Sequence, residues 1–169
     1  MATSASSAWK ADGLRIREAR QADVEALTRL INAAFVVERV VFDGDRVDTA
    51  EVRAYMQRGT FLVGEEAGTL VACVYVELRD GHGYLGLLSV DPPRQRLGLG
   101  RQLVAAAEDF AGKGGAHVMD LRVISARAEL LPFYLHAGYE QTGTAPFAPG
   151  LKTKVPSHHI LMSKPIRRG

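Results

Sequence analysis

The chain has one cysteine, one tryptophan and no apolar run near the length of a membrane span, and each scarcity narrows what it does. Cys73 has no second cysteine to bond, so a disulfide framework within the chain is excluded. It lies in an apolar stretch, which predicts a buried, reduced thiol and a cytoplasmic location. A spanning helix needs ~20 consecutive apolar residues, and their lack argues against a membrane partner. Charge of one sign is scarce too. With 21 Lys and Arg against 19 Asp and Glu, the net charge of +2 is too small to point to nucleic acid. Histidines that could chelate are few, and the adjacent pair His158-His159 would point to opposite faces of a strand, so no metal is expected. What is present is 169 residues, 47% hydrophobic and 24% charged, the make-up of one globular domain. Met1 to Gly13, rich in Ala and Ser and without a signal-like apolar core, reads as a flexible tail. The domain reads as residues 14–166.

Periodicity divides that domain into short elements. Leu14–Arg17 alternates as a strand. Val24, Leu27, Leu30, Ile31 and Ala34 form a helical stripe between Asp23 and Phe35. A second helix is expected from Val47 to Met56, stopping near Gly59. Strands follow at Thr60–Val63, Thr69–Leu78 and from Tyr84 to Val90, separated by a hairpin turn expected at Glu65-Glu66-Ala67-Gly68, with Gly68 available for positive φ, and by the turn dipeptide Asp80-Gly81. Beyond them lie a helix from Arg101 that should stop at Gly112, a strand at Val118–Ile124, and a short helix at Glu129–His136. Pro132 is tolerated there only in the first turn. Tyr139–Thr142 and His158–Met162 are the last strands, with an irregular connection between them.

The central stretch runs from Leu87 to Leu103: a near-continuous apolar strand, Pro92-Pro93, a glycine loop, then a helix. A glycine loop feeding a helix N-terminus aims free N–H groups at one spot and favours an anion there. It is not a nucleoside-triphosphate P-loop, because Gly100 is followed by Arg101-Gln102. It is not a dinucleotide fingerprint either, because the third small position holds Leu103. Gln95-Arg96-Leu97-Gly98-Leu99-Gly100, led by Val90-Asp91-Pro92, instead resembles the Gln/Arg-x-x-Gly-x-Gly/Ala signature of the GNAT family of acyl-CoA N-acyltransferases. The element order resembles that fold over roughly residues 14–165. The resemblance implies an α/β (α+β) architecture: a twisted, mixed, mostly antiparallel sheet with one splayed parallel strand pair, flanked by about four helices.

It also implies a site. The amides of the loop from Gln95 and Arg96 through Leu97, Gly98 and Leu99 to Gly100 and Arg101 would bind the pyrophosphate of acetyl-CoA, the cosubstrate. The backbone of Leu88, Ser89 and Val90 would pair with its pantetheine arm as an added strand does. Gly86 is expected at a bulge that opens the gap. Phe133-Tyr134-Leu135-His136-Ala137-Gly138-Tyr139 resembles the family's Tyr-x-x-x-Gly-Phe/Tyr motif, which makes Tyr134 the acid that protonates the departing thiolate. A phenol of pKa about 10 is a proton donor at neutral pH. Two departures stand out. Arg127 occupies the position where many relatives have Asn, and the central strand lacks the glutamate that some members use as base. Glu77, on the face of Cys73 and Tyr75, and His82 are the replacements considered, beside a water chain to bulk.

The resemblance thus implies transfer of an acetyl group from acetyl-CoA to a primary amine by direct attack in a ternary complex. A CoA-binding or regulatory module of the same fold is the rival, and a nucleotide-binding domain a weaker third. The acceptor, a small-molecule or peptide amine, would sit beside the segment joining the first two helices and the start of the second, where Glu38, Asp43, Asp45, Asp48 and Glu51, against Arg39 and Arg46, suggest an acidic rim that favours cationic amines. His158 is a further acceptor-side candidate. A homodimer stays open.

Overall fold

The computed structural model describes residues 9–11 and 14–169. The expected tail falls partly outside this range, at residues 1–8 and 12–13. Trp9–Ala11, expected as tail, is instead a three-residue strand, β1, paired antiparallel with β2 (Leu14–Glu18). The other elements are α1 (Val24–Ala34), α2 (Thr49–Arg58), β3 (Thr60–Glu66), β4 (Thr69–Arg79), β5 (His82–Val90), α3 (Leu99–Lys113), β6 (Val118–Ile124), α4 (Leu131–His136), β7 (Glu140–Ala145) and β8 (His159–Pro165). They form one sheet in the order β1-β2-β3-β4-β5-β6-β8-β7. Every neighbouring pair is antiparallel except β5–β6. The α3 crossover carries the chain back along the sheet, so β6 starts at the same end as β5 and runs parallel to it, whereas the α1–α2 connection returns β3 antiparallel to β2.

Turn chemistry sets the hairpins. Ala67-Gly68 and Asp80-Gly81 both take positive φ at each residue, +48° and +81°, then +48° and +76°. That geometry matches the right-handed twist of the flanking strands.

Two cores hold the layers together. On one face α3 buries Leu103, Val104 and Ala107 against Val74, Val76 and Leu85 of the sheet, with Met119 and Leu121 of β6. On the other, α1 buries Leu27, Leu30 and Ile31 over Phe61, Cys73 and Tyr75. Cys73 is fully buried, and burial pushes its thiol up to about 12, so it stays protonated. No helix among the described residues is long and apolar enough to cross a membrane.

One expected boundary moves. Gly112 does not end α3, which runs to Lys113 and is capped at Gly114. A Cβ on Gly112 would lie 2.2 Å from the Arg167 carbonyl oxygen, so this glycine makes room for the C-terminal segment. Pro132 falls in the first turn of α4, where its missing N–H costs nothing.

Candidate active site

The glycine loop leaves the N-terminus of its helix without a side-chain cap. Gly98 caps α3 with φ +82° and ψ +7°, a left-handed turn that favours glycine. The first intrahelical bond in this turn runs from Gln102 N to the Gly98 carbonyl. The amides of Leu99, Gly100 and Arg101 are thus left unpaired within the helix. A Cβ at Gly100 would make an ordinary contact with the Phe133 ring at 3.5 Å, so a larger, branched side chain there is what would crowd the site. Arg94 is held by Glu66 at 2.7 Å and Asp91 at 3.2 Å. Arg96 and Arg101 have no carboxylate partner among the described residues and line the same cleft. Three convergent N–H groups with two free guanidiniums fit a diphosphate. Gln95 plays a different part: its Nε2 donates to the Val90 carbonyl at 3.2 Å and ties the loop to the strand end. Leu97 is 65% exposed and lies outside the cleft wall.

Beside the loop the sheet opens. β5 pairs with β6 only from His82–Val118 to Leu85–Leu121, while β5 continues to Val90. On its other edge β5 is bulged. Gly86 faces Tyr75 and Ser89 faces Cys73, so Leu87 and Leu88 oppose the single residue Val74. The strained residue of this bulge is Leu87, with φ +49°. A positive φ at a branched side chain costs ~1–2 kcal/mol. Burial of the Leu87 side chain and a 2.9 Å bond from the Ser89 hydroxyl to its carbonyl hold it there. Gly86 has another effect: the Tyr84 ring would lie 3.0 Å from a Cβ at that position and would have to shift to admit one. The bulge also explains why Ser89 is buried away from the cleft while Leu88 and Val90 line it. Leu87 and Leu88 both lack a register partner on either side; the Leu87 carbonyl is taken by Ser89, which leaves Leu88 as the residue of the pair that offers its backbone to the cleft.

The cleft so formed has a volume of about 1310 Å³ and runs from the loop past Tyr134 to the segment after α1. Tyr134 is held by α4 with edge-on contacts to Phe133 and Tyr139, ring centroids 5.0 and 6.0 Å away. Burial pushes its phenol up to about 12, opposed by the nearby Arg127 guanidinium. The phenol is therefore neutral and a donor throughout the physiological range. Its hydroxyl has no hydrogen-bond partner among the described residues and belongs to the cleft wall.

Across from it stands a group that sequence reasoning counted only among the rim acids. Glu38 sits in a 3-10 turn, Phe35–Val40, that continues α1. It is 9% exposed and bonded by Arg127 Nη1 at 3.4 Å. Arg127 is itself held by Glu129 at 2.5 Å. Burial raises the Glu38 carboxyl above its ordinary range, against the pull of the Arg127 and Arg46 guanidiniums. Nothing local in the sequence marks Glu38, because its partner is 89 residues away. The signal available was Arg127, a cation in place of the relatives' Asn.

The expected base candidates lie elsewhere. Glu77 accepts from the Tyr75 hydroxyl at 2.8 Å, pairs with Arg79, and lines a neighbouring groove rather than the cleft. His82 pairs with Asp120 at 2.7 Å in that same groove. Asp43 and Asp45 do line the cleft, but Lys154 meets Asp43 at 3.0 Å and Arg39 meets Asp45 at 3.0 Å. Asp48 and Glu51 are bonded to each other's backbone as the cap of α2. Away from the glycine loop, five acidic side chains lining the cleft are matched by five basic ones, so the acidic rim is not an uncompensated negative surface. His158 is exposed and is engaged through its backbone: its amide donates to Ser125 Oγ at 3.0 Å and its carbonyl accepts from the Ser125 amide at 2.8 Å. Its neighbour His159 is the one in the cleft wall, with its ring 4.6 Å from that of Phe147.

Known proteins match this arrangement. The family model described as acetyltransferase (GNAT) family matches residues 24–139, from the start of α1 past Tyr134. An L-amino acid N-acyltransferase of Escherichia coli is 28% identical over 145 residues, which is 79% of this chain and 83% of that protein. A mycothiol acetyltransferase of Propionibacterium freudenreichii is 28% identical over 140 residues, again 79% of this chain, which spans only 45% of that relative's length. In three dimensions, an acetyltransferase from Salmonella typhimurium, solved with its cofactor acetyl-CoA, superposes with a TM-score of 0.74 at 25% identity, covering 94% of this chain and 96% of that one. With loop, splayed strand and tyrosine all inside the matched region, the chain belongs to the acetyltransferase (GNAT) family, whose acyl donor is acetyl-CoA.

Proposed function

We propose that the protein transfers the acetyl group of acetyl-CoA directly to a primary amine, with both substrates in the cleft at once. The carrying observation is that one cleft joins an anion-binding helix end to a neutral buried phenol and a buried carboxyl. The Leu99–Arg101 amides, with Arg96 and Arg101, hold the diphosphate. The unpaired Leu88 backbone receives the pantetheine arm, and its N–H stabilises charge developing on the thioester oxygen. An amine is mostly protonated at neutral pH and cannot attack in that form. Glu38, whose carboxyl is already made more basic by burial, takes that proton. The amine nitrogen then bonds to the carbonyl carbon as the carbon–sulfur bond breaks, and the surplus proton on that nitrogen passes to solvent. Tyr134 gives its proton to the leaving thiolate and regains one from solvent. The acetyl-CoA bound to the structural neighbour and the acylation for which the Escherichia coli relative is named support this reading. A binding-only module has no use for an acid and a base facing one cleft. The protonated thiol of Cys73 fits a cytoplasmic setting.

Free-thiol release from acetyl-CoA, measured with a panel of primary amines, tests the proposal. Amine-dependent release that is lost in Tyr134→Phe is expected. Binding of acetyl-CoA with no release for any amine would overturn it in favour of the binding module.

A further inference from the structure

Two arginines at the acceptor end of the cleft form no ion pair among the described residues. Arg46 stands just before α2 and Arg122 on β6, and both line the cleft. Arg39 and Arg127 are engaged by Asp45, Glu38 and Glu129. Arg46 instead lies over the Phe35 ring, 5.7 Å from its centroid. Neither Arg46 nor Arg122 has an ion pair among the described residues.

The two come from distant parts of the chain but act on the same spot. Both fields reach the Tyr84 phenol and both reach the His159 imidazole, whose proton affinity is lowered first by burial and then by these arginines. His159 is thus neutral at physiological pH and does not replace them as a cation. Its Nδ1 is buried without a partner among the described residues. Two guanidiniums around one hollow repel each other, and an anion between them relieves that repulsion. A guanidinium also presents a planar fork that matches a carboxylate at two points. The same pattern holds at the far end of the cleft, where the unpaired Arg96 and Arg101 face the diphosphate position.

We propose that Arg46 and Arg122 bind an anionic group on the acceptor, a carboxylate, so that the acceptor class is a small molecule carrying an amine and an acid. The assignment rests on the acetyl-transfer reading above. The Glu38 carboxyl receives the amine and the two arginines the acid, so one short molecule spans both. An amino acid is the simplest such acceptor. The paired rim acids Asp43 and Asp45 leave no net negative field to reject it.

The test is steady-state thiol release from acetyl-CoA with the common L-amino acids, their carboxamides and the matching amines without an acid. The acids should exceed their amides in kcat/KM by at least about tenfold, the size of one charged hydrogen bond. In Arg122→Gln that acid-over-amide ratio should shrink about tenfold, carried by KM rather than kcat, and Arg122→Lys should restore part of it. Arg46→Gln should act in the same direction. Turnover of amines and amides but not of acids would overturn the anion site and leave acetyl transfer standing. An unchanged ratio in both glutamine variants would overturn it too. No thiol release with any acceptor would overturn both readings together.

Discussion

The two ends of the cleft are built in opposite ways. The end proposed to hold the donor is local: six consecutive residues, Arg96 to Arg101, supply its amides and its two arginines, and two left-handed residues, Arg96 at φ +67° and Gly98 at φ +82°, set the turn. The acceptor end is assembled from afar. Glu38 follows α1, Arg46 precedes α2, Arg122 lies on β6, Arg127 before α4 and His159 on β8. A site made of backbone N–H groups tolerates many side chains, whereas a site made of side chains from five segments changes with each of them. One fold can keep its acyl donor and vary its acceptor for that reason.

The largest test of this contrast lies where the ends meet. Tyr134→Phe should lower kcat by about 10²–10⁴-fold, the usual worth of a positioned acid, and leave the acetyl-CoA Kd within threefold. A variant that keeps more than a third of wild-type kcat would remove Tyr134 from the chemistry.

Glu38→Gln comes next. It should lower kcat/KM by about 10²-fold, with its effect read in the pH profile. Because burial raises the Glu38 carboxyl, the acidic limb of kcat/KM should lie above the ordinary carboxylate range. Arg127 opposes that rise, so Arg127→Gln should move the limb to still higher pH. The sign for stability is the reverse of a paired carboxylate. A raised folded-state pKa means that charging Glu38 costs stability as pH rises, so Glu38→Gln should not lower Tm at neutral pH. A limb that stays put in Arg127→Gln would remove Glu38 as the proton acceptor.

A smaller effect separates backbone from side chain at the donor end. Around Gly98 nothing lies within 4 Å of a Cβ, so Gly98→Ala meets only the left-handed φ. The cost should be about 1 kcal/mol, or about 2–4 °C in Tm for a domain of this size. No loss of Tm would mean the turn does not need glycine.

The smallest effect belongs to the rim. Asp43 and Asp45 are exposed and already paired, and exposed pairs contribute ~0–1 kcal/mol. Neutralising either should change kcat/KM by less than about threefold. A tenfold loss with a cationic amine would restore the acidic rim as a recognition surface.

The same contrast explains what the sequence made legible. The glycine loop, the Val90-Asp91-Pro92 lead and Tyr134 were readable because each is a short motif tied to one local geometry. The hairpins were readable because Ala67-Gly68 and Asp80-Gly81 carry their own turn chemistry. Leu87 was not, since a positive φ at leucine is held by tertiary contacts, and the neighbouring glycine drew the eye instead. Gly112 misled because a glycine kept for a close backbone approach looks like a helix stop. Glu77 shares strand parity with Tyr75, but parity cannot say that its carboxylate is taken by the Tyr75 hydroxyl and Arg79. The choice between His158 and His159 turned on one residue of register, which β8 sets by pairing Ile124 with His159. Glu38 and Arg122 carry no motif, and their roles come from what the fold places beside them.

The central claim is that the donor is held by the loop backbone, independently of the acceptor-end side chains. Titration calorimetry of acetyl-CoA against the wild type, Gly100→Val and Glu38→Gln tests it most directly. A branched side chain at Gly100 should crowd the Phe133 ring and the diphosphate position, weakening Kd at least tenfold, about 1.4 kcal/mol. Glu38→Gln should leave Kd within threefold of the wild type. Wild-type affinity in a folded Gly100→Val protein, or an equal loss in Glu38→Gln, would contradict the account.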